Sequence, residues 1–378
     1  MHLRGLTMFR ESMQRIFSVA RKEVVHIRRD PATLFFALAL PIIELFLLGF
    51  AIDTNIRHIR TVVYDAAMTQ ESEVLLRSFV NSEDFDIRGH VKTDAELHEW
   101  IVAGKAKVGI KIPEDYSRRL QAGQQAQILI LVDGTESSVA GEAVNVGNAI
   151  ALRESLRQVL RERPLPIDIR PRVLFNPDTR SPNFFIPGLM VVMCQMMATM
   201  LTTNSIVKEK EFGTMEQLFM TPVKAREVML GKMAPYIVLT FIEFTMIALF
   251  MRVVFQVPIH GSFFTLLMIV FPFVLTMLGT GLFISARSTS RESAGQLVIG
   301  TVMPSVFLSG YVFPVDSMPL VFQWVAQVIP TTWLIDAARG VILRGAGWRE
   351  LWPHYLVLWA MAITMLGLST WRFRKQLT

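Results

Sequence analysis

Cysteine is almost absent: Cys194 is the single example in 378 residues, so the chain can form neither an intramolecular disulfide nor a thiolate zinc site. Charge is scarce too, with Asp, Glu, Lys and Arg at 19%, whereas roughly a quarter is usual in soluble proteins. Hydrophobic residues reach 52%, and the two figures together exclude an ordinary soluble globule and describe a membrane-embedded chain. No GxxxxGK[ST] phosphate loop occurs. The nearest approach, ILILVDGTESS, reads as a strand, a turn and a helix N-cap. The seven histidines show no ligand spacing such as HxxxH, and the net charge of +6 is spread among segments between apolar runs, which argues against nucleic acid. The chain therefore offers no nucleotide site and no credible nucleophile, base or metal constellation.

What is present falls into apolar runs separated by capped, charged segments. Phe9, Met13, Ile16, Phe17, Ala20, Val24 and Ile27 recur at helical spacing with six basic residues mostly elsewhere on the wheel, as in a helix lying in a membrane interface or docked on a partner. Asp30-Pro31 ends that pattern, and Ala32 to Ile52 is long enough at roughly 31 Å for one span, with a kink expected at Pro41. No cleavable signal peptide is expected, because this first run begins about thirty residues in and can itself span.

Between residues 53 and 183 the pattern changes to that of an α/β domain. Strands are expected near 60–65, 85–91, 106–112, 127–132 and 167–175, since apolar and polar residues alternate or β-formers cluster there. Thr93 and Glu96 form a capping box for a helix closed by Gly104, and a long helix is expected over 139–161. Further spans follow at about 184–207, 233–255, 263–286, 293–308 and 352–371. The second carries Met190, Met193, Met196, Met197 and Met200, which suit either a re-packing ligand surface or plain packing.

The charged island at 208–232 divides the second and third spans. Gly213 is a natural helix stop, Thr214 and Gln217 form a capping box, and Thr221-Pro222 supplies the next N-cap and N1 pair, so a rigid knuckle is expected. Thr289 and Glu292 are expected to box the start of the fifth span. Residues 314–350, with Pro319, Pro330 and several tryptophans, read as short interfacial or re-entrant helices. The run Glu209-Lys210-Glu211-Phe212-Gly213-Thr214-Met215-Glu216-Gln217-Leu218-Phe219-Met220-Thr221-Pro222 resembles the element joining the second and third spans in permeases of type-2 ATP-binding cassette (ABC-2) exporters. Leu308 to Pro319 is similar to that family's segment after the fifth span, and the order of elements matches along the whole chain.

The resemblance implies a polytopic α-helical membrane protein of six transmembrane helices, with an α/β extracytoplasmic domain between helices 1 and 2. It implies a non-catalytic subunit paired with a second permease, identical or paralogous, on cytoplasmic ATPases that bind the ATP and magnesium. Glu209, Glu211, Gly213, Thr214, Glu216, Leu218, Thr221 and Pro222 are the implied ATPase-coupling residues, and Gly310, Phe313, Pro314 and Pro319 the implied outer gate. A periplasmic adaptor and membrane lipids are further expected partners. The expected organisation is an interfacial helix at 1–30, a first span at 31–52, the α/β domain at 53–183, and the remaining spans with their loops at 184–378.

Glu44, Glu243 and Arg252 are polar residues inside expected spans, where a carboxylate costs about 2.5–3.5 kcal/mol on insertion scales. Each carboxylate reads as a transport group or as a structural hydrogen-bonding residue; family members often carry glutamine where Glu44 stands. Outside the large domain, the segments at the N-terminus, the island, the Arg287 corner and the C-terminus hold seven, five, two and three Lys or Arg, and the opposite side holds three. Both termini and the island are thereby expected in the cytoplasm of a bacterial inner membrane, and the large domain outside. Two other readings are a proton-coupled secondary transporter using Glu44 and Glu243, against which no inverted repeat is evident, and a membrane-anchored sensor acting through 53–183.

Overall fold

The computed structural model describes residues 2–51, 58–135, 137–160, 174–177, 180–213 and 224–374. These divide into two compact units, Met1–Asp53 with Val173–Thr378, and Thr54–Arg172. The helix α1 (His2–Arg29) ends at Asp30, whose carboxylate accepts the Thr33 N–H at 3.1 Å and caps the next helix. Pro31 takes the first helical position, where a missing N–H costs nothing. Then α2 (Pro31–Leu34) passes through a π-helical turn, Phe35–Ala39, into α3 (Leu40–Ala51). The π turn is the form the disturbance at Pro41 takes. Proline offers no N–H and its ring crowds the carbonyl of Ala37, so the turn before it widens.

The second unit is an α/β sandwich built from β1 (Ile59–Asp65), α4 (Gln70–Val80), β2 (Phe85–His90), α5 (Asp94–Val102), β3 (Val108–Ile112), α6 (Tyr116–Gln121), β4 (Leu129–Val132) and α7 (Ser137–Leu160). Its sheet has the order β2-β1-β3-β4, parallel except for β4. Leu75, Phe79, Tyr116 and Ile150 cover one face with α4, α6 and α7, and Leu97 of α5 packs with Val62 on the other. The Thr93 side chain accepts the Glu96 N–H as expected, but Glu96 accepts from Lys92 N at 2.9 Å instead of completing the box. The helix α4, capped by Thr69, was not anticipated from its sequence. Most of the strand expected at 167–175 lies outside the described residues; this unit ends at Arg172, before the sequence-based limit of 183.

The rest of the helical unit comprises α8 (Ser181–Glu211), α9 (Ala225–Val254), α10 (Phe263–Arg287), α11 (Arg291–Leu308), α12 (Leu320–Val328), α13 (Pro330–Arg339) and α14 (Trp348–Arg374). A π turn, Gly340–Arg344, follows α13. Among the described residues, five stretches are long and apolar enough to cross a membrane: Pro31–Phe50, Ser181–Glu211, Arg226–Val254, Phe263–Arg287 and Trp348–Arg372. The sequence-based count was six. The helix expected as the fifth span, α11, forms, but it opens on Arg291 and Glu292 and carries Gln296, Thr301 and Ser305 within only 18 residues. Its cap also differs from expectation, since it is the Ser290 side chain, on extended backbone, that accepts the Ser293 N–H at 3.2 Å.

The two most enclosed helices, α8 and α10, cross at Gly281. A Cβ there would sit 2.6 Å from the Thr199 carbonyl, and Thr203 Oγ1 donates to the Gly281 carbonyl at 3.1 Å. Small residues let helix backbones approach in this way, replacing the hydrophobic drive that lipid does not supply. Gly281→Leu should force α8 and α10 apart and cost about 1–3 kcal/mol or more. A lowered thermal midpoint, followed by tryptophan fluorescence in detergent, is the expected readout.

Candidate functional site

The N-terminal helix does not rest on a single apolar face. Ile16, Val19, Glu23 and Ile27 turn toward the protein, whereas Met13, Phe17 and Val24 remain exposed. The contact is close because Gly231 of α9 has no side chain: a Cβ there would lie 2.8 Å from the Ile16 carbonyl and 2.7 Å from Val19 Cβ. The wheel read from sequence is thus divided between two surfaces, one against α9 and one left free.

Beside Gly231 lies a buried charge cluster that joins α1, α8 and α9. Lys232 Nζ sits 3.2 Å from Glu23 Oε2, 3.1 Å from Glu209 Oε2 and 2.9 Å from Ser205 Oγ. Glu23 Oε1 accepts from Ser205 at 2.5 Å and from Tyr236 OH at 2.7 Å, and Lys22 Nζ reaches Glu209 Oε1 at 3.1 Å. Lys232, Glu23 and Glu209 are all below 7% exposed. Burial works to raise the Glu23 carboxyl, but the Lys232 charge and the Ser205 and Tyr236 hydrogen bonds outweigh it and hold its pKa below the usual value. Glu23 and Lys232 were not singled out as site residues from sequence. The available signal was a lysine one turn inside an apolar span, in MLGKMAPYIVL.

The four charges of Lys208-Glu209-Lys210-Glu211 go to four different places. Lys208 Nζ approaches Asp30 at 3.8 Å, and Glu209 joins the cluster just described. Lys210 Nζ donates to the Ser285 carbonyl at 2.6 Å, near the end of α10 where partial negative charge gathers. Glu211 pairs with Arg291 Nε at 2.8 Å and accepts the Arg291 N–H at 2.8 Å, at the start of α11. Gly213 then adopts φ +65°, a left-handed stop that suits glycine. The far end is held as well: Glu227 accepts the Lys224 N–H at 2.9 Å and Ser12 Oγ at 2.6 Å. Thr214, Glu216, Leu218, Thr221 and Pro222 lie outside the described residues.

Against the cluster a cavity of about 1060 Å³ opens among α1, α8, α9 and α11. Lys22, His26 and Asn204 give it polar walls, and Met200, Leu201 and Phe212 apolar ones, a mixture suited to an amphiphilic molecule. In comparison with known proteins, the model of the ABC-2 family transporter protein matches residues 31–371. The chain belongs to the ABC-2 transporter family.

Similar proteins include the probable multidrug ABC transporter permease YbhS of Escherichia coli K12, 29% identical over 97% of this chain and 98% of its own length. The inner membrane transport permease YhhJ of the same strain is 27% identical over 96% and 98%. The probable multidrug ABC transporter permease YbhR is 26% identical over 91% and 95%. The chain is thus an integral membrane protein whose relatives are named as permease components, and membership in an ABC family implies an ATPase partner.

The other residues singled out from sequence lie apart from this charge cluster, the clasp that joins α1, α8 and α9. Glu243, in the middle of α9, is 1% exposed, and among the described residues neither of its oxygens meets a hydrogen-bond donor. Glu44 is half-buried on α3. Arg252 is exposed in the last turn of α9. Gly310, Phe313, Pro314 and Pro319 fall in the connection from α11 to α12: Gly310 has φ +84°, Pro314 precedes a 3-10 turn and Pro319 precedes α12.

The residue that organises this connection is Arg339 of α13. Its Nη1 donates to the Gly310 carbonyl at 2.8 Å, Nη2 to Tyr311 at 3.3 Å and Nε to Phe184 at 3.2 Å. The guanidinium also lies 3.8 Å from the Phe184 ring centre, within cation–π range. Deeper in, Gln195 of α8 donates to Ser305 of α11 at 2.9 Å and accepts from Thr331 of α13 at 2.5 Å. A second buried polar contact thereby ties the same three helices.

Proposed function

We propose that the chain is the membrane permease subunit of an ATP-driven exporter that carries a small amphiphilic molecule, drug-like or lipid-like, out of the cytoplasm. It performs no covalent chemistry. ATP and magnesium are bound by separate cytoplasmic ATPase subunits, and two permease copies, identical or paralogous, work together. Six spans cross a bacterial inner membrane with α11 as the fifth, both termini are cytoplasmic, and the α/β unit is extracytoplasmic, where an adaptor protein can dock. The relatives' names, two of which include multidrug transport, support this substrate class.

One observation carries the reading: the segment leading into the coupling element is tied by consecutive charges to Asp30 and to α1, α9, α10 and α11 at once. A push on Glu209 to Pro222 then moves several helices as one body, as alternating access between two packed arrangements requires. The cavity beside the clasp supplies the cytoplasmic substrate pocket, and the Arg339 connection the outer gate.

The Glu211–Arg291 pair tests the link. It is partly exposed, so its loss should change stability by less than about 1 kcal/mol. Reconstituted with its ATPase, Glu211→Arg should hydrolyse ATP while exporting far less substrate per ATP, and the double reversal Glu211→Arg with Arg291→Glu should regain coupling. Unchanged export per ATP in the single variant would remove the lever from the mechanism. Transport in vesicles driven by a proton gradient with no ATPase present would instead favour a proton-coupled carrier built on Glu44 and Glu243.

A further inference from the structure

A separate cavity, of about 470 Å³, lies in the helical unit where three connections meet: the segment leading into α8, the turn between α9 and α10, and the π turn after α13. Each connection brings a basic side chain to its wall, Arg180 from the first, His260 from the second and Arg344 from the third. Phe175, Pro258 and Leu343 supply apolar surface beside them. Hydrogen bonds fasten the three connections together. Asn176 Oδ1 accepts the Arg180 N–H at 3.1 Å and Asn183 Nδ2 at 2.7 Å, and Asn176 Nδ2 donates to the Arg180 carbonyl at 3.1 Å, so the leading segment is held to the start of α8. Arg180 Nη2 then donates to the Phe255 carbonyl at 3.2 Å, at the end of α9. On the other side, His260 N and Gly261 N donate to the Ile342 and Val341 carbonyls at 3.0 and 2.9 Å, which lays the α9–α10 turn against the π turn. Phe175 and Gln256, also in the wall, have φ of +67° and +55°. That left-handed conformation is costly for residues other than glycine and clusters where backbone position matters to a ligand.

Positive charge gathers at this junction. Arg180 is the N-cap of α8, a 31-residue helix whose dipole is positive at that end, where acidic residues are the favoured choice. Its bond to the Phe255 carbonyl takes one of the five N–H donors of a guanidinium. Arg344 places Nη2 on Asp336 Oδ1 at 3.0 Å, but the other oxygen of that carboxylate meets His354 Nε2 at 2.9 Å, so Asp336 is shared. Both guanidiniums stay charged at every physiological pH, and each has more donors than these contacts use. His260 Nδ1 lies 3.3 Å from the Ile342 carbonyl, which holds the ring in place.

The arrangement selects the kind of anion. One guanidinium fork satisfies a planar carboxylate, whereas basic groups converging from three segments suit an anion that presents oxygens in several directions. The volume falls within the roughly 300–1,000 Å³ of ligand pockets, which leaves room for a phosphate and the small organic group it carries. We propose that this cavity binds a phosphate ester, with Arg180 and Arg344 as counter-charges and His260 as a third polar contact. The ester can belong to a lipid headgroup or to a soluble molecule, and the two sources are separated by experiment. The site is independent of the exporter reading and is tested without transport.

Full-length protein in dodecyl maltoside and phosphate-free buffer can be titrated calorimetrically with glycerol 3-phosphate and, in a second arm, with dihexanoylphosphatidylglycerol. Acetate is the phosphate-free counterpart in the first arm and dihexanoylglycerol in the second. At least one phosphate probe should bind saturably and about tenfold or more tightly than its counterpart, a difference near 1.4 kcal/mol, and the arm in which it does so names the source. Arg344→Gln, a change at an exposed position, should weaken that binding about tenfold, and Arg344→Lys, which keeps the charge without the fork, should weaken it less. Arg180→Gln should act like Arg344→Gln, with circular dichroism as the folding control because Arg180 also holds the Phe255 carbonyl. Arg349→Gln removes an exposed cation at the start of α14 that does not line the cavity, and it should leave binding unchanged. Phosphate probes no tighter than their counterparts in both arms, undiminished binding by Arg344→Gln, or an equal loss in Arg349→Gln would each overturn the proposal.

Discussion

Lys232→Met is expected to destabilise the junction of α1, α8 and α9 by about 3–5 kcal/mol, the usual effect of removing one partner from a buried ion pair. The geometry explains the size. Among the described residues Lys232 is the cation that touches both Glu23 and Glu209, and without it Glu23 loses its ion pair while Glu209 keeps Lys22, whose side chain is 44% exposed. The amide protons of α1 should exchange faster, and the thermal midpoint should fall. Glu23→Gln added to Lys232→Met removes the carboxylate that has lost its cation and should recover a large part of the loss, which distinguishes unbalanced charge from lost packing. Acid provides a second check. The folded pKa of Glu23 lies below its ordinary value of 4.5, so its contribution is present above that value and is lost as pH falls through the folded pKa. Glu23→Gln should accordingly flatten the acid side of the stability profile. If Lys232→Met is as stable as the parent, the clasp is not a structural unit and the lever argument loses its base.

The parts of this architecture that sequence revealed are those fixed locally. Asp30-Pro31 announces a helix start, Gly213 a stop, and the alternation in Phe85 to His90 a strand, because each depends on neighbours a few residues away. The run from Glu209 to Pro222 was legible as a dense family motif, and from Thr214 onward it lies outside the described residues. The clasp was not: Glu23 and Lys232 are 209 residues apart, and no local pattern says that the face of α1 bearing Glu23 turns inward. That choice follows from Gly231, whose missing side chain lets α1 settle against α9. Similarly, α4 escaped notice although Thr69 caps it, since Gln70-Glu71-Ser72-Glu73 suggests solvent and only its second half packs on the sheet. In place of the capping box expected at Thr289, a single cap forms at Ser290, whose extended backbone lets its hydroxyl meet the Ser293 N–H.

On the proposed orientation, Arg339→Met should release the connection between α11 and α12 and raise its exposure to the outside solution. The guanidinium is a fork matched to three carbonyls on two other segments, Phe184 at the start of α8 and Gly310 and Tyr311 just past α11. A cation at the end of α11 also meets the negative end of the helix dipole. Gly188 leaves room for this arrangement, since a Cβ there would lie 2.7 Å from the Tyr311 ring and 3.3 Å from Arg339 Nη2. Methionine fills a similar volume but leaves the carbonyls without their donor, and hydrogen bonds to a charged group contribute about 1.5–3 kcal/mol each. Lysine keeps the charge but cannot reach three acceptors at once, so Arg339→Lys should fall between the two. Cys194 is buried, which makes labelling simple: in a Cys194→Ala background, a cysteine introduced at Phe313 can be treated with an impermeant maleimide from the external side. Labelling should be slow with Arg339 present, intermediate with lysine and several-fold faster with methionine, and ATP-driven export should leak in the same order. Equal labelling rates in all three proteins would show that Arg339 holds the helices together without closing the path, and would assign the outer gate to the Phe313 to Pro319 segment alone.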